Sequence, residues 1–291
     1  MNRYYGEDAM HQRIFCSFAL FVVFALFFLP IQSFGMEKGG ATPKDNPALQ
    51  STLSYDGASS IAYALLPKLA KAFLHKSGVA FGNIGESGAG AGFKAVTEGK
   101  VSLGGLSRRL SDNEKAAVAA WQIIGFDALG VYIHPSNPVS SLTRTQLKDV
   151  FSGKITNWKD VGGTDQPIVV VTERLDSGRA TLAVIKDVVL DGGEYGPVKE
   201  RVDPMDCIWA IEEEPKGITF ATTSIASPKT KNVAVDGILP TRAHVASGKY
   251  LLSRPLVLVT MMPSGNVQKF FEFVLTPEGQ VIVGQLFVPL R

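Results

Sequence analysis

Cysteine is nearly absent from this 291-residue chain, which holds only Cys16 and Cys207. Cys16 lies at the start of the apolar run Ile14–Leu29, so export with loss of that run leaves Cys207 alone and excludes an intramolecular disulfide. A solitary cysteine reads as a buried apolar residue rather than a nucleophile. Histidine is scarce as well: His11, His75, His134 and His244 lack metal-ligand spacing, so no metal is expected. Charge of one sign is missing. Twenty-nine Lys and Arg against 27 Asp and Glu leave +2, without the concentrated basic stripe of a nucleic-acid binder. No Gly-x-Ser-x-Gly elbow or nucleophile–base pair is legible, so no catalytic residue is assigned and an enzyme is not expected. The run Glu212-Glu213-Glu214 reads as a solvated helix end, and no repeat recurs at a solenoid period.

Long hydrophobic runs are limited to one. Arg3 and Arg13 precede Ile14–Leu29, Pro30 follows, and Ser33-Phe34-Gly35 offers small residues at the −3 and −1 positions of a cleavage site. Residues 1–35 therefore read as a signal peptide cleaved after Gly35, which sends the protein to the periplasm. A retained anchor is the competing reading, but the run is about 16 residues where a span needs roughly 20. Residues 36–50 are polar and rich in Gly and Pro, a flexible leader. The remainder suffices for two medium α/β lobes or one large domain.

Strand-like and helix-like runs then alternate. Leu53-Ser54-Tyr55, Val79-Ala80-Phe81, Val101-Ser102-Leu103, Gln122–Ile133, Ile168–Val171, Gly217–Phe220 and Pro255–Val259 read as strands. Helices are expected from the face Ile61, Leu65, Leu69, Phe73, from the Ser111/Glu114 and Thr143/Gln146 capping boxes, and over 267–275 and 277–286. The segment preceding Gly248 reads as polar connections. Such alternation implies α/β architecture with mixed sheets flanked by helices, and ligands then sit at the carboxyl ends of strands.

Four turns fall at such ends. Asp56-Gly57-Ala58-Ser59-Ser60 stands at a helix start, where Ser59 or Ser60 serves as an N-cap or as a ligand group. Ser87-Gly88-Ala89-Gly90-Ala91-Gly92 lets several N–H groups point into one concavity ahead of a helix. Its spacing satisfies neither the P-loop, since Ala91 and Gly92 occupy the Lys and Ser/Thr places, nor the dinucleotide fingerprint. No nucleotide cofactor is implied. Ser107-Arg108-Arg109 ends a strand with two cations, and Arg174 to Arg179 places Ser177-Gly178 between two arginines whose planar forks match a tetrahedral oxyanion.

Three further segments carry a resemblance: Phe151-Ser152-Gly153-Lys154-Ile155-Thr156-Asn157-Trp158, Gly248 through Leu256 (Gly-Lys-Tyr-Leu-Leu-Ser-Arg-Pro-Leu), and Phe273-Val274-Leu275-Thr276-Pro277-Glu278-Gly279-Gln280. With the four turns they make residues 51–291 similar to the phosphate-binding proteins of high-affinity phosphate ABC transporters, within the type II periplasmic binding proteins. The resemblance implies a two-lobed fold with the ligand cleft between lobes, lobe 1 being 51–129 plus 251–291 and lobe 2 being 130–250. It implies a monomer that captures inorganic phosphate and delivers it to an inner-membrane ABC permease. By the same likeness Ser60 and the N–H of Ile61 serve from the first turn, and Ser177, Gly178 and Arg179 from the fourth, with Arg174 as the main counter-charge. This chain departs from the family's pattern in three places. Ala89 stands where a Ser is usual, with Ser87 the nearest hydroxyl. Arg108 follows Ser107 where many members have Asp. Arg179 replaces a common Thr in a turn one residue shorter. These departures leave phosphate, sulfate, molybdate, tungstate and vanadate open as ligands, and leave open a sensor or scaffold built on the same fold.

Overall fold

The computed structural model describes residues 52–290, so the expected signal peptide, its cleavage site and the leader lie outside the described residues. The chain begins with β1 (Leu53–Gly57), a π-helical turn (Ile61–Leu65) opening into α1 (Leu66–Ser77), β2 (Phe81–Ile84), α2 (Ala89–Thr97), β3 (Leu103–Leu106) and α3 (Asp112–Ala117). Next come β4 (Ala120–Ile133), β5 (Ser141–Leu142), α4 (Arg144–Phe151), β6 (Val169–Glu173), α5 (Ala180–Val188), β7 (Lys199–Arg201) and α6 (Pro204–Glu213). The rest is β8 (Gly217–Thr222), β9 (Lys231–Val235), α7 (Arg242–Ala246), β10 (Ser253–Thr260), α8 (Gly265–Leu275) and α9 (Pro277–Val283).

The strands hydrogen-bond in the order β2-β1-β3-β10-β4-β8-β6-β7, with β9 joined to β4 and β5. β1 runs parallel to β2 and β3, while β10 is antiparallel to β3 and β4. The 14-residue β4 changes partners along its length. Ala120 to Ala128 pair with β10, and Leu129 to Ile133 pair with β8, flanked by β9. At the change of partners Asp127 lies opposite Arg254. Both are buried, and the guanidinium closes on one carboxylate oxygen at 2.9 Å from Nε and 2.8 Å from Nη2. The other oxygen accepts from the Thr222 hydroxyl at 2.7 Å and the Ala128 N–H at 2.7 Å. A buried ion pair persists only with its remaining lone pairs satisfied in this way.

Two large hydrophobic clusters flank that pair. One gathers Leu53, Leu65, Leu69, Phe73, Leu256, Phe270 and their neighbours, and the other Leu129, Val131, Phe151, Trp158, Phe220 and theirs. Ile61, Leu65, Leu69 and Phe73 are all buried, as their spacing requires. α1 stops at Gly78, whose φ of 73° closes the helix with an N–H to Leu74 O bond of 2.9 Å. Both expected capping boxes form.

Two expected strands lie about two residues further on. β2 starts at Phe81, and β3 is Leu-Gly-Gly-Leu over 103–106 because the ladder with β1 (Tyr55 to Leu103, Gly57 to Gly105) sets its register. Glycine has no side chain to advertise a strand, yet here it is required. A Cβ on Gly105 would lie 2.0 Å from the Tyr55 hydroxyl oxygen, and one on Gly92 would lie 2.4 Å from Gly57 Cα and 2.5 Å from Asp56 O. The segment expected to be polar connections carries β9 and α7, whose Val233, Val235 and Val245 are buried against the second cluster. β7 is not legible in the sequence, and α6 is legible only at its end, Glu212-Glu213-Glu214; α6 carries Cys207, which is buried, its thiol pushed up to about 12 chiefly by that burial.

Gly92→Ala meets backbone that cannot give way, and overpacking of that kind costs roughly 3 kcal/mol. Urea denaturation is expected to show the loss as a lowered midpoint, and an unchanged midpoint contradicts the close approach of α2 to β1.

Candidate functional site

A cleft opens where β1, β3, β6 and β8 end, lined by Ser59 and Ser60 after β1, Ser107 after β3, Glu173 closing β6 and Thr222 closing β8. This is where an α/β sheet offers a ligand the turns that lead into helices. The first residues of four helical segments face it: Ser59–Ser60 ahead of α1, Ala89 of α2, Ala180–Thr181 of α5 and Pro204 of α6. Helix starts carry unpaired N–H groups and the positive end of the peptide dipoles, so their convergence suits an anion.

Of the residues expected from sequence, Ser59, Ser60, Gly88, Ala89, Ser107 and Arg179 line this cleft. The Ser60 hydroxyl is buried and has no hydrogen-bond partner. Arg179 Nη1 donates to the Ser59 hydroxyl at 3.2 Å. Its other nitrogens face Glu173 at 3.4 Å and Asp203 at 3.9 Å. The second and fourth turns meet across the cleft: a Cβ on Gly88 would lie 3.8 Å from Arg179 Cγ, and one on Gly90 would lie 3.7 Å from Gly178 O. Gly88 itself needs its positive φ of 97° to start α2.

Other expected residues do different work. The Ile61 N–H already donates to Ala58 O at 3.0 Å. Ser87 donates from both its hydroxyl (2.7 Å) and its N–H (3.0 Å) to the Asp56 carboxylate, which also accepts from the Gly57 N–H. Ser87 thus ties the glycine loop to β1. Arg108 turns to α3, where both terminal nitrogens grip Glu114 at 2.6 and 2.7 Å, the same carboxylate that completes the capping box. Arg174 is 57% exposed and paired with Asp176 at 2.9 Å, while the turn behind it closes through Ser177 N–H to Arg174 O. Arg179, not Arg174, is thus the arginine of this turn on the cleft wall. Ser177 has a buried hydroxyl without a partner, and Gly178 adopts φ of 65°.

Sequence reasoning missed Glu173, Thr181, Thr222 and Arg254. A signal existed. Glu173 and Arg254 are single charges in otherwise apolar strands, as is Asp127 in β4, and such charges stay buried only when paired or functional. Arg254 even lies inside one of the segments that carried the resemblance. Its Nη1 donates to Thr181 at 3.1 Å, so it spans from β10 to the start of α5.

Glu173 is 2% exposed and neither carboxylate oxygen has a hydrogen-bond partner. Burial pushes its pKa up to about 7, against the opposing pull of Arg179 and Arg254. With Arg254 engaged by Asp127, Arg179 is the cation whose charge Glu173 most directly offsets.

The family profile described as "PBP superfamily domain" matches residues 42–278, and the chain belongs to that superfamily. Its fold is that of a type II periplasmic binding protein, with a mixed sheet flanked by helices. Among individual proteins, it is 25% identical to the phosphate-binding protein PstS of Staphylococcus saprophyticus over 87% of this chain and 84% of the relative. PstS of Bacillus subtilis is 27% identical over 71% of this chain and 69% of the relative. A solved structure from Clostridium perfringens, a candidate phosphate ABC transporter substrate-binding protein with bound phosphate, superposes with a TM-score of 0.74 at 29% identity, covering 82% of this chain and 100% of that one.

The raised pKa of Glu173 has a stability consequence. The folded state holds this proton more tightly than the unfolded state, so the penalty for burying the carboxylate is absent below about pH 4.5 and is fully felt once pH rises past about 7. Glu173→Gln removes the titration. Between pH 5 and pH 8 the stability of the variant relative to the wild type is expected to rise by about 2–3 kcal/mol, read by denaturant unfolding at the two pH values. A difference that does not change with pH contradicts a buried, titrating Glu173.

Proposed function

We propose that this chain is an exported solute-binding protein that captures inorganic phosphate as a monomer in the periplasm and delivers it to an ABC permease in the inner membrane. The observation that carries the reading is the position of Arg179, 18% exposed, held on the Ser59 hydroxyl beside the unpartnered Ser60 hydroxyl at the meeting of four helix starts. A dehydrated oxyanion finds there a guanidinium fork, serine and threonine hydroxyls and N–H groups of helix first turns. The relatives named for phosphate binding support phosphate over other tetrahedral anions.

The work is done by differential affinity, with no covalent step. Ser59, Ser60, Gly88, Ala89 and Ser107 form one wall, and Arg179, Ala180 and Thr181 the other, with Ser177 and Gly178 in the turn behind it. We assign the walls to lobes 51–129 plus 251–291 and 130–250, a division supported by the two hydrophobic clusters and by the partner change of β4 at Ala128. Closure of these walls on the ligand shifts the population toward a closed state, and that state is the form a permease would recognise.

Isothermal titration with phosphate, sulfate, molybdate and vanadate tests the reading, and absence of heat with all four would overturn it. Arg179→Ala is expected to weaken phosphate binding roughly 10- to 150-fold, the value of a hydrogen bond to a charged group. Arg174→Ala removes only an exposed ion pair and is expected to change affinity by less than about twofold. The reverse order would return the counter-charge to Arg174.

A further inference from the structure

Among the residues lining the cleft, Arg254 and Thr222 are engaged with Asp127 and the serine hydroxyls and Arg179 suit an anion, but a buried carboxylate in an anion site has no such task. Glu173 ends β6 with both oxygens unpartnered, and its Oε1 lies 3.4 Å from Arg179 Nε without hydrogen-bond alignment. The groups facing it come from four directions. The start of α5 contributes Arg179 and Thr181, and β10 contributes Arg254, whose charge Asp127 of β4 answers. From the start of α6 come Asp203 and the thiol of Cys207; from the segment before β7 comes the Tyr195 hydroxyl, which donates to Leu182 O at 3.0 Å. The thiol and the phenol are both held neutral, so they add no charge near pH 7.

Two negative groups, Glu173 and Asp203, therefore already surround Arg179. A third negative charge entering beside them meets repulsion from the buried Glu173 carboxylate, and a buried group in that position neutralises. We propose that Glu173 is an internal counter-ion that releases Arg179 to the incoming oxyanion by taking up one proton, so that ligand capture is coupled to proton uptake. The inference rests on the reading that this cleft binds phosphate. In the balance, one proton passes from solvent to a Glu173 oxygen and no bond of the ligand is broken. The resulting carboxylic acid carries an O–H donor in place of a charge, so it can donate to the anion it formerly repelled. Because its pKa already lies near 7, the proton is available at neutral pH and becomes limiting above it.

Calorimetric titration of phosphate into wild type and Glu173→Gln, each in two buffers of different ionisation enthalpy, counts the protons taken up on binding. Phosphate's own ionisation is common to both proteins, so the difference belongs to Glu173. At pH 8 the wild type is expected to take up more protons than the variant, by up to about one, and its affinity to fall relative to the variant by up to about tenfold for each further pH unit. Equal proton counts at pH 8 would overturn the proposal while leaving phosphate capture intact. No heat with phosphate in the wild type at pH 6, where Glu173 is already protonated, would instead overturn the phosphate reading and the proposal with it. Infrared difference spectra on the wild type alone give a second readout that needs no variant to fold. A carboxylic-acid carbonyl band is expected to appear when phosphate is added at pH 8, and its absence would overturn the proposal.

Discussion

The ion pair between Asp127 and Arg254 is the interaction on which this fold turns. It sits where β4 leaves β10 for β8 and β9, between the two hydrophobic clusters. Buried charges cost free energy unless both are matched, and here each has further partners: Thr222 and the Ala128 N–H for Asp127, and Thr181 for Arg254. Those partners are also cleft residues or their neighbours. The pair therefore joins the last residue of β8 and the first turn of α5 to the crossing strands.

A second constraint is close backbone approach on the other wall. Gly57, Gly92 and Gly105 let β1, α2 and β3 touch at distances that a Cβ would forbid. The α2 N-terminus is thereby driven into the cleft, and the Asp56 carboxylate fixes the preceding loop through Ser87. The glycines of 88–92 serve different ends: Gly88 for its left-handed φ, Gly90 for clearance toward Gly178, and Gly92 for packing. Of these glycines only Gly88 lines the cleft.

Much of the architecture was legible because periodicity and caps are local. The α1 face, both capping boxes, β4 and β10 follow from residues within one element. β3 lies beyond the strand its sequence suggests because two of its four residues are glycine, and β9 is hidden in the sequence because its strand character comes from pairing with β4. The site divides along the same line. Turn residues at strand ends were found, since their chemistry is local. Which arginine of the fourth turn faces inward depends on how β7 clamps that turn, through Arg174 N–H to Arg201 O, and no spacing rule holds that information. Glu173 and Arg254 were visible as lone charges in apolar strands but acquire meaning only when the strands are brought together.

Arg179, poised between an internal carboxylate and an incoming anion, makes the cleft a site of exchange between counter-ions rather than an empty positive hole. A crystal structure of the protein with bound phosphate tests this most directly. Phosphate is expected within hydrogen-bond distance of Arg179 and of the Ser60 hydroxyl, with Arg174 still on Asp176 at the surface. Phosphate seated on Arg174, with Arg179 still turned to Glu173, would contradict it.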